Sequence, residues 1–197
     1  HLLSRRQRQM CIRDRIDRLG SLAHRTKGAC FANSAATIWL PECGGDSVRV
    51  GISLYGVSPD PSVSGCSLGL KPAMSLKSEV IAIQNIQVGE SVGYGSQFTA
   101  KRETKIAVVA CGFADGYLRS IQQGSPVWIN GRYAPIVGNI AMDVMMIDVT
   151  EVPQVEVGTE VELWGEHLSV EEVAKNSGTI AAELLCGLTK RVKFIMN

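Results

Sequence analysis

The chain has 197 residues, of which 45% are hydrophobic and 20% charged, and its formal net charge is +1. Such a composition excludes a disordered chain and leaves room for one generous domain or two small ones with real cores. No apolar run is long enough to cross a bilayer as a helix, so a helical membrane protein is excluded as well.

The near-neutral average hides an uneven distribution. Residues 1–15 carry five arginines against the single acid Asp14, a local charge of +4, and leave the rest of the chain at −3. The run Met10-Cys11-Ile12-Arg13-Asp14-Arg15 resembles a translation of the transposon-end adapter used to prepare sequencing libraries. Residues 1–15 are therefore expected to be an artefactual start; the alternative is a basic arm for RNA or acidic membranes. Beyond them no basic face is visible, so neither nucleic acid nor a membrane is expected as a partner. The charged start is not followed by the apolar core of a signal peptide, and a cytoplasmic protein is expected.

Apolar residues at 16, 19, 22 and 23 predict a helix over Ile16–Ala23. Gly28–Ala32 reads as a short buried strand, and Asn33-Ser34 stands at the N-cap of a helical turn that begins at Ala35. Val48–Ile52 reads as a second buried strand leading to Tyr55-Gly56. This spacing matches one βα unit, plus the next strand, of a parallel sheet or barrel.

After Pro59 and Pro61 the texture changes. Leu76–Ile86 alternates apolar and polar side chains, and strand-like runs recur at 106–110, 127–129, 144–149 and 161–163. Glycine- and proline-bearing turns separate them, and Asn130-Gly131 is the strongest hairpin signal in the chain. From about Pro72 an antiparallel β domain is expected. It closes with helices over Ser169–Ser177 and Ala181–Leu188 and a last strand over Val192–Ile195. Six scattered cysteines form no Cys-x-x-Cys pair, which fits neither a zinc site nor a disulfide framework. Reduced, mostly buried thiols are expected, and no metal. His24 and His167 read as solvated surface residues.

Several short motifs occur in one order. They are Ala32-Asn33-Ser34-Ala35-Ala36, Arg49-Val50-Gly51-Ile52-Ser53-Leu54-Tyr55-Gly56, Val92-Gly93-Tyr94-Gly95 and Val137-Gly138-Asn139-Ile140-Ala141-Met142-Asp143. With Gly112-Phe113-Ala114-Asp115-Gly116-Tyr117 and Glu162-Leu163-Trp164-Gly165, the set resembles alanine racemase from about residue 16 onward. Each motif alone recurs by chance; the ordered set does not.

The resemblance implies an α/β plus all-β fold with pyridoxal 5′-phosphate as cofactor. Residues 16–71 would supply the last strands of the cofactor-binding (β/α)8 barrel, and residues 72–197 the C-terminal antiparallel β domain. It also implies a homodimer whose active sites are shared between subunits. In the family a lysine on an early barrel strand forms a Schiff base with the cofactor. No counterpart stands in this chain, which by resemblance is a C-terminal half, expected to be inactive alone.

The resemblance assigns Ser34, Gly51 and Ile52 to the cofactor phosphate. Independently, Ser34 lies at a helix start where amides favour an anion, and Gly51 lets backbone approach a phosphate. The same residues also read as an N-cap serine and a strand glycine placed for packing. Arg49 faces the pyridine nitrogen in the family; an arginine donates there but keeps its proton, which weakens the electron sink. By itself it reads as a strand-end arginine reaching solvent.

Racemisation needs a proton carrier on each face of the substrate α-carbon. The family uses the lysine on one face and, on the other, the tyrosine matched here by Tyr94, which is contributed to the partner subunit's site. A phenol is a poor base unless a neighbouring cation favours its phenolate. A glycine-flanked tyrosine is otherwise a turn aromatic. Met142 matches a position whose backbone N–H holds the substrate carboxylate, and Asp143 is expected near the entrance. Two departures stand nearby: Phe113 replaces a common tyrosine, and Lys190 stands where some members place a tyrosine on the phosphate. The activity implied is interconversion of L- and D-alanine, supplying D-alanine for peptidoglycan. The alternatives are a related racemase of other or broad specificity and a non-catalytic β-barrel binding module.

Overall fold

The computed structural model describes Asp14, residues 30–41 and residues 46–196. The helix expected over Ile16–Ala23, His24 and the rest of the arginine-rich start lie outside these residues. The chain divides between Lys71 and Pro72 into two compact units. Among the described residues no helix is long and apolar enough to cross a membrane.

In the first unit, β1 (Cys30–Asn33) leads straight into α1 (Ser34–Trp39), and β2 (Ser47–Arg49) pairs with β1 in parallel. The Asn33 side chain caps α1 by accepting the Ala36 N–H at 3.0 Å. The second strand is shorter than the sequence pattern predicts and is not buried: all three of its residues are exposed. Gly51, at φ −116° and ψ −98°, leaves the extended region, and Ile52–Tyr55 forms a 3-10 turn closed by Gly56 at φ +84°.

The second unit is built on β3 (Leu76–Ile86), β4 (Ser91–Val92), β5 (Phe98–Thr99), β6 (Thr104–Val109), β7 (Pro126–Ile129), β8 (Arg132–Val137), β9 (Met145–Asp148) and β10 (Glu160–Trp164). Six of these close into an antiparallel barrel in the order β10-β3-β6-β9-β8-β7, with β7 pairing back onto β10. Period-two alternation fills the interior: Val127, Ile129, Met145, Ile147, Val161 and Leu163 are at most 1% exposed. Burying a side chain of that size contributes ~1.5–3 kcal/mol. In β3 a register shift between Val80 and Ala82 interrupts the alternation. The β7–β8 hairpin turns on Asn130 (φ +46°) and Gly131 (φ +76°), two left-handed residues whose twist matches that of the strands.

Two helices follow, α2 (Val170–Asn176), capped by the Ser169 side chain on the Glu172 N–H, and α3 (Ala181–Gly187). The strand expected over Val192–Ile195 does not form; Phe194 and Ile195 are 65% and 72% exposed. A closed barrel offers no free edge for that apolar run to pair with. The thiols also differ from expectation. Among the described cysteines only Cys111 is buried; Cys30 is half-buried, and Cys66 and Cys186 are exposed.

Candidate active site

Tyr94 stands on a one-turn loop between β4 and β5, flanked by Gly93 (φ +80°) and Gly95 (φ +73°). Both values lie where a side chain is strained, so two glycines set the loop, and the tyrosine they present is 74% exposed. Its stem is fixed by apolar packing. Val92 and Phe98 rest with Met146 on Ile86, Ala100, Ile106 and Val137. The loop also leans on the turn after β8: a Cβ on Gly138 would lie 3.2 Å from the Val92 carbonyl oxygen. Asn139 then donates through Nδ2 to the Tyr94 carbonyl at 3.0 Å. An exposed ring thus sits on an anchored backbone.

Met142 belongs to the same loop, between β8 and β9, so the structure brings the Tyr94 and Met142 segments together. The peptides around Met142 lie against the turn after β6. Phe113 N–H donates to the Ala141 carbonyl at 3.0 Å and Ala114 N–H to the Met142 carbonyl at 2.9 Å. The approach is too close for a side chain: a Cβ on Gly112 would fall 2.3 Å from the Met142 carbonyl oxygen. Asp115 closes the turn by accepting the Gly112 N–H at 2.9 Å. Gly116 (φ +103°) abuts the end of α3, where a Cβ would lie 2.3 Å from the Gly187 oxygen. Tyr117, 1% exposed, then stacks on Trp164 with centroids 6.0 Å apart. Burial pushes the Cys111 thiol up to about 12, with the Asp115 charge adding to it, so that thiol stays protonated.

The C-terminal segment completes this region. Thr189 N–H donates to the Asp115 carbonyl at 3.1 Å, and its hydroxyl donates to the Ala114 carbonyl at 2.8 Å. Arg191 then reaches Asp143 at 2.7 Å and Asp115 at 3.2 Å. Phe113 is 40% exposed and Lys190 is exposed. Neither Asn139 nor Arg191 was legible as part of this site, because both act through contacts distant in sequence.

In the first unit, Ser34 and the turn after β2 converge. The Ser34 hydroxyl oxygen accepts N–H bonds from Gly51 at 2.9 Å and Ser53 at 3.4 Å. Ser53 Oγ is itself buried with no hydrogen-bond partner. Ile52 lies between them, half-buried, and Arg49 is exposed on β2. Ser53 was quoted within a motif but not singled out; only its place between two candidate ligands and the turn could have flagged it.

The Glu162-Leu163-Trp164-Gly165 motif has a structural purpose. Glu162 is 4% exposed, and its Oε1 accepts the N–H groups of His167 at 2.7 Å and Leu168 at 3.0 Å. Burial alone would raise this carboxyl, but hydrogen bonds from the His167 ring and from the Leu168 and His167 amides outweigh it. They hold the group below its ordinary value of 4.5. His167 is therefore more than a solvated residue: its ring stacks on Trp128 at 4.8 Å and meets Glu162 Oε2 at 3.1 Å.

This geometry belongs to a known lineage, because a profile described as "Alanine racemase, C-terminal domain" matches residues 73–196. The chain belongs to the alanine racemase family. It is 51% identical over 162 residues to an alanine racemase of Shewanella frigidimarina, covering 82% of this chain and 44% of that protein. Against a catabolic alanine racemase of Klebsiella aerogenes the identity is 46%, over 84% of this chain and 47% of the relative. The chain thus spans about half the length of the curated relatives it matches. The crystal structure of a biosynthetic alanine racemase from Pseudomonas aeruginosa superposes with a TM-score of 0.82 at 45% identity, over 88% of this chain and 49% of that one. An alanine racemase from D-cycloserine-producing Streptomyces lavendulae gives 0.83 at 33% identity, over 95% and 50% of the two chains. The six-stranded barrel is the alanine racemase C-terminal β domain.

Proposed function

We propose that the protein carrying this chain is a pyridoxal 5′-phosphate-dependent racemase that interconverts L- and D-alanine. It acts as a cytoplasmic homodimer and supplies D-alanine for cell-wall peptidoglycan. The observation that carries the reading is the exposed Tyr94 ring on an anchored loop beside the Met142 segment, in a chain that belongs to the alanine racemase family.

The first unit has a donor set that fits a phosphate ester. The Gly51 and Ser53 amides converge on the Ser34 hydroxyl oxygen, which leaves that hydroxyl's own proton to donate, and Ser53 Oγ is a buried hydroxyl still lacking a partner. Ser34, Gly51 and Ile52 would hold the phosphate, and Arg49 would donate to the ring nitrogen without giving up its proton. The cofactor, when bound, supplies the electron sink that makes the substrate α-proton acidic.

The chain's own residues then divide the work. The Met142 N–H binds the alanine carboxylate and fixes the α-carbon. The Tyr94 hydroxyl exchanges a proton with one face of that carbon, in the partner subunit's site, and a second carrier serves the other face. An exposed tyrosine suits this division, since a ring packed in its own subunit could not reach a partner's substrate.

The test is a titration of the purified full-length protein with pyridoxal 5′-phosphate, followed by a racemisation assay with each alanine enantiomer. Ser34→Ala should weaken cofactor binding by about 10–100-fold, the weight of a hydrogen bond to a charged group. Absence of racemisation in the loaded wild-type protein, or unchanged cofactor affinity in Ser34→Ala, would contradict the proposal.

A further inference from the structure

We infer that Arg191 is a positioning residue that fixes the Met142 amide and shields the substrate carboxylate from the negative charge of Asp143. This rests on the reading of the Met142 N–H as the carboxylate donor. Arg191 spans two acids that belong to different segments: Asp143 follows Met142 directly, and Asp115 closes the turn on which the Met142 carbonyl is hydrogen-bonded. The base of this clamp is rigid. The Asp115 side chain is 14% exposed and occupied by the Gly112 N–H, and Thr189 ties the arginine's own segment to Ala114 and Asp115. The Asp143 end is the opposite, 60% exposed and held at its far side by the guanidinium.

The electrostatics give the clamp a second purpose. An uncompensated carboxylate one residue from the amide that receives alanine would repel the incoming carboxylate. Paired with Arg191 at 2.7 Å, Asp143 presents less negative charge there than it would alone. The guanidinium is itself pushed above its ordinary value, first by its hydrogen bond to Asp143 and then by the charges of Asp115 and Asp143. Its planar fork suits two carboxylates better than an ammonium would.

Two measurements test this. The first is amide hydrogen exchange on the 197-residue chain, which needs no activity. Arg191→Ala should speed exchange across 138–144 and 112–116 about fivefold, the weight of a partly exposed charge pair, while the barrel strands keep their protection. The second is kinetics of the full-length protein. Arg191→Ala should raise KM for alanine about tenfold with kcat within twofold, and Arg191→Lys should recover part of the loss. Asp143→Asn should raise KM less than Arg191→Ala, because it leaves no unpaired acid behind. If Arg191→Ala does not fold, Arg191→Lys and Asp143→Asn are read in the same way. Unchanged exchange at 138–144, loss of protection throughout the barrel, or a fall in kcat at constant KM overturns the inference. A wild-type protein without racemase activity refutes the proposed function instead, and the exchange arm still decides whether the clamp holds.

Discussion

Two glycine-preceded tyrosines sit in the same β domain under opposite conditions. Tyr117 follows Gly116, is 1% exposed and stacks on Trp164, the last residue of β10. Tyr94 follows Gly93, is 74% exposed, and stands on a loop set by two left-handed glycines. One ring supports the fold. The other contributes little packing, yet the backbone beneath it is anchored by apolar contacts and by the Asn139 bond to its carbonyl. Under the proposed function that anchored backbone holds the exposed ring ready for the partner subunit's site.

The sharpest way to break this comparison is truncation at both positions. Tyr117→Ala should destabilise the barrel by about 3–5 kcal/mol, as large aromatic deletions in cores do, measured by denaturant unfolding. Tyr94→Ala should change stability by no more than about 0.5 kcal/mol. Similar losses at the two positions would erase the distinction. The conservative change separates them further, because the Tyr117 hydroxyl is buried without a hydrogen-bond partner. Losing an unpaired buried hydroxyl is nearly neutral or favourable, so Tyr117→Phe should shift stability by no more than about 1 kcal/mol.

A smaller effect concerns the strand that carries the partner ring. Glu162 holds the turn after Trp164 through its bonds to His167 and Leu168. Its carboxyl is held below the ordinary 4.5 in the folded protein, so its contribution is present above that value and is lost as pH falls through the lower, folded value. Glu162→Gln should therefore cost about 2 kcal/mol at neutral pH. The gap to wild type should close as the solution is acidified below about 4.5. A gap that persists in acid would mean that packing, not the charge, holds the turn.

Much of the barrel was legible because its signals are local. Period-two alternation marks Leu76–Ile86 with its observed bounds, Asn130-Gly131 sets a hairpin, and Ser169 caps a helix. What stayed hidden depends on closure. The pairing of β7 with β10 removes the edge that the expected strand at 192–195 would have needed. In the first unit Gly51 breaks a strand that the apolar pattern carried through to Ile52. For the candidate site, the motifs marked Tyr94, Met142, Ser34 and Gly51 through resemblance. Asn139, Arg191 and the orphaned Ser53 hydroxyl emerge only when distant segments meet.

The most direct test of the central claim is solvent deuterium exchange at the alanine α-carbon by a Tyr94→Phe variant of the full-length protein. L- and D-alanine are followed separately, on protein shown to retain cofactor and dimer. Net racemisation in both directions should fall by about 10²–10⁴-fold, the usual weight of a positioned acid–base group. Exchange should survive better for the enantiomer whose proton faces the remaining carrier, and that asymmetry is the result the account predicts. Equal residual exchange from both enantiomers would contradict it and return Tyr94 to the status of an exposed turn aromatic.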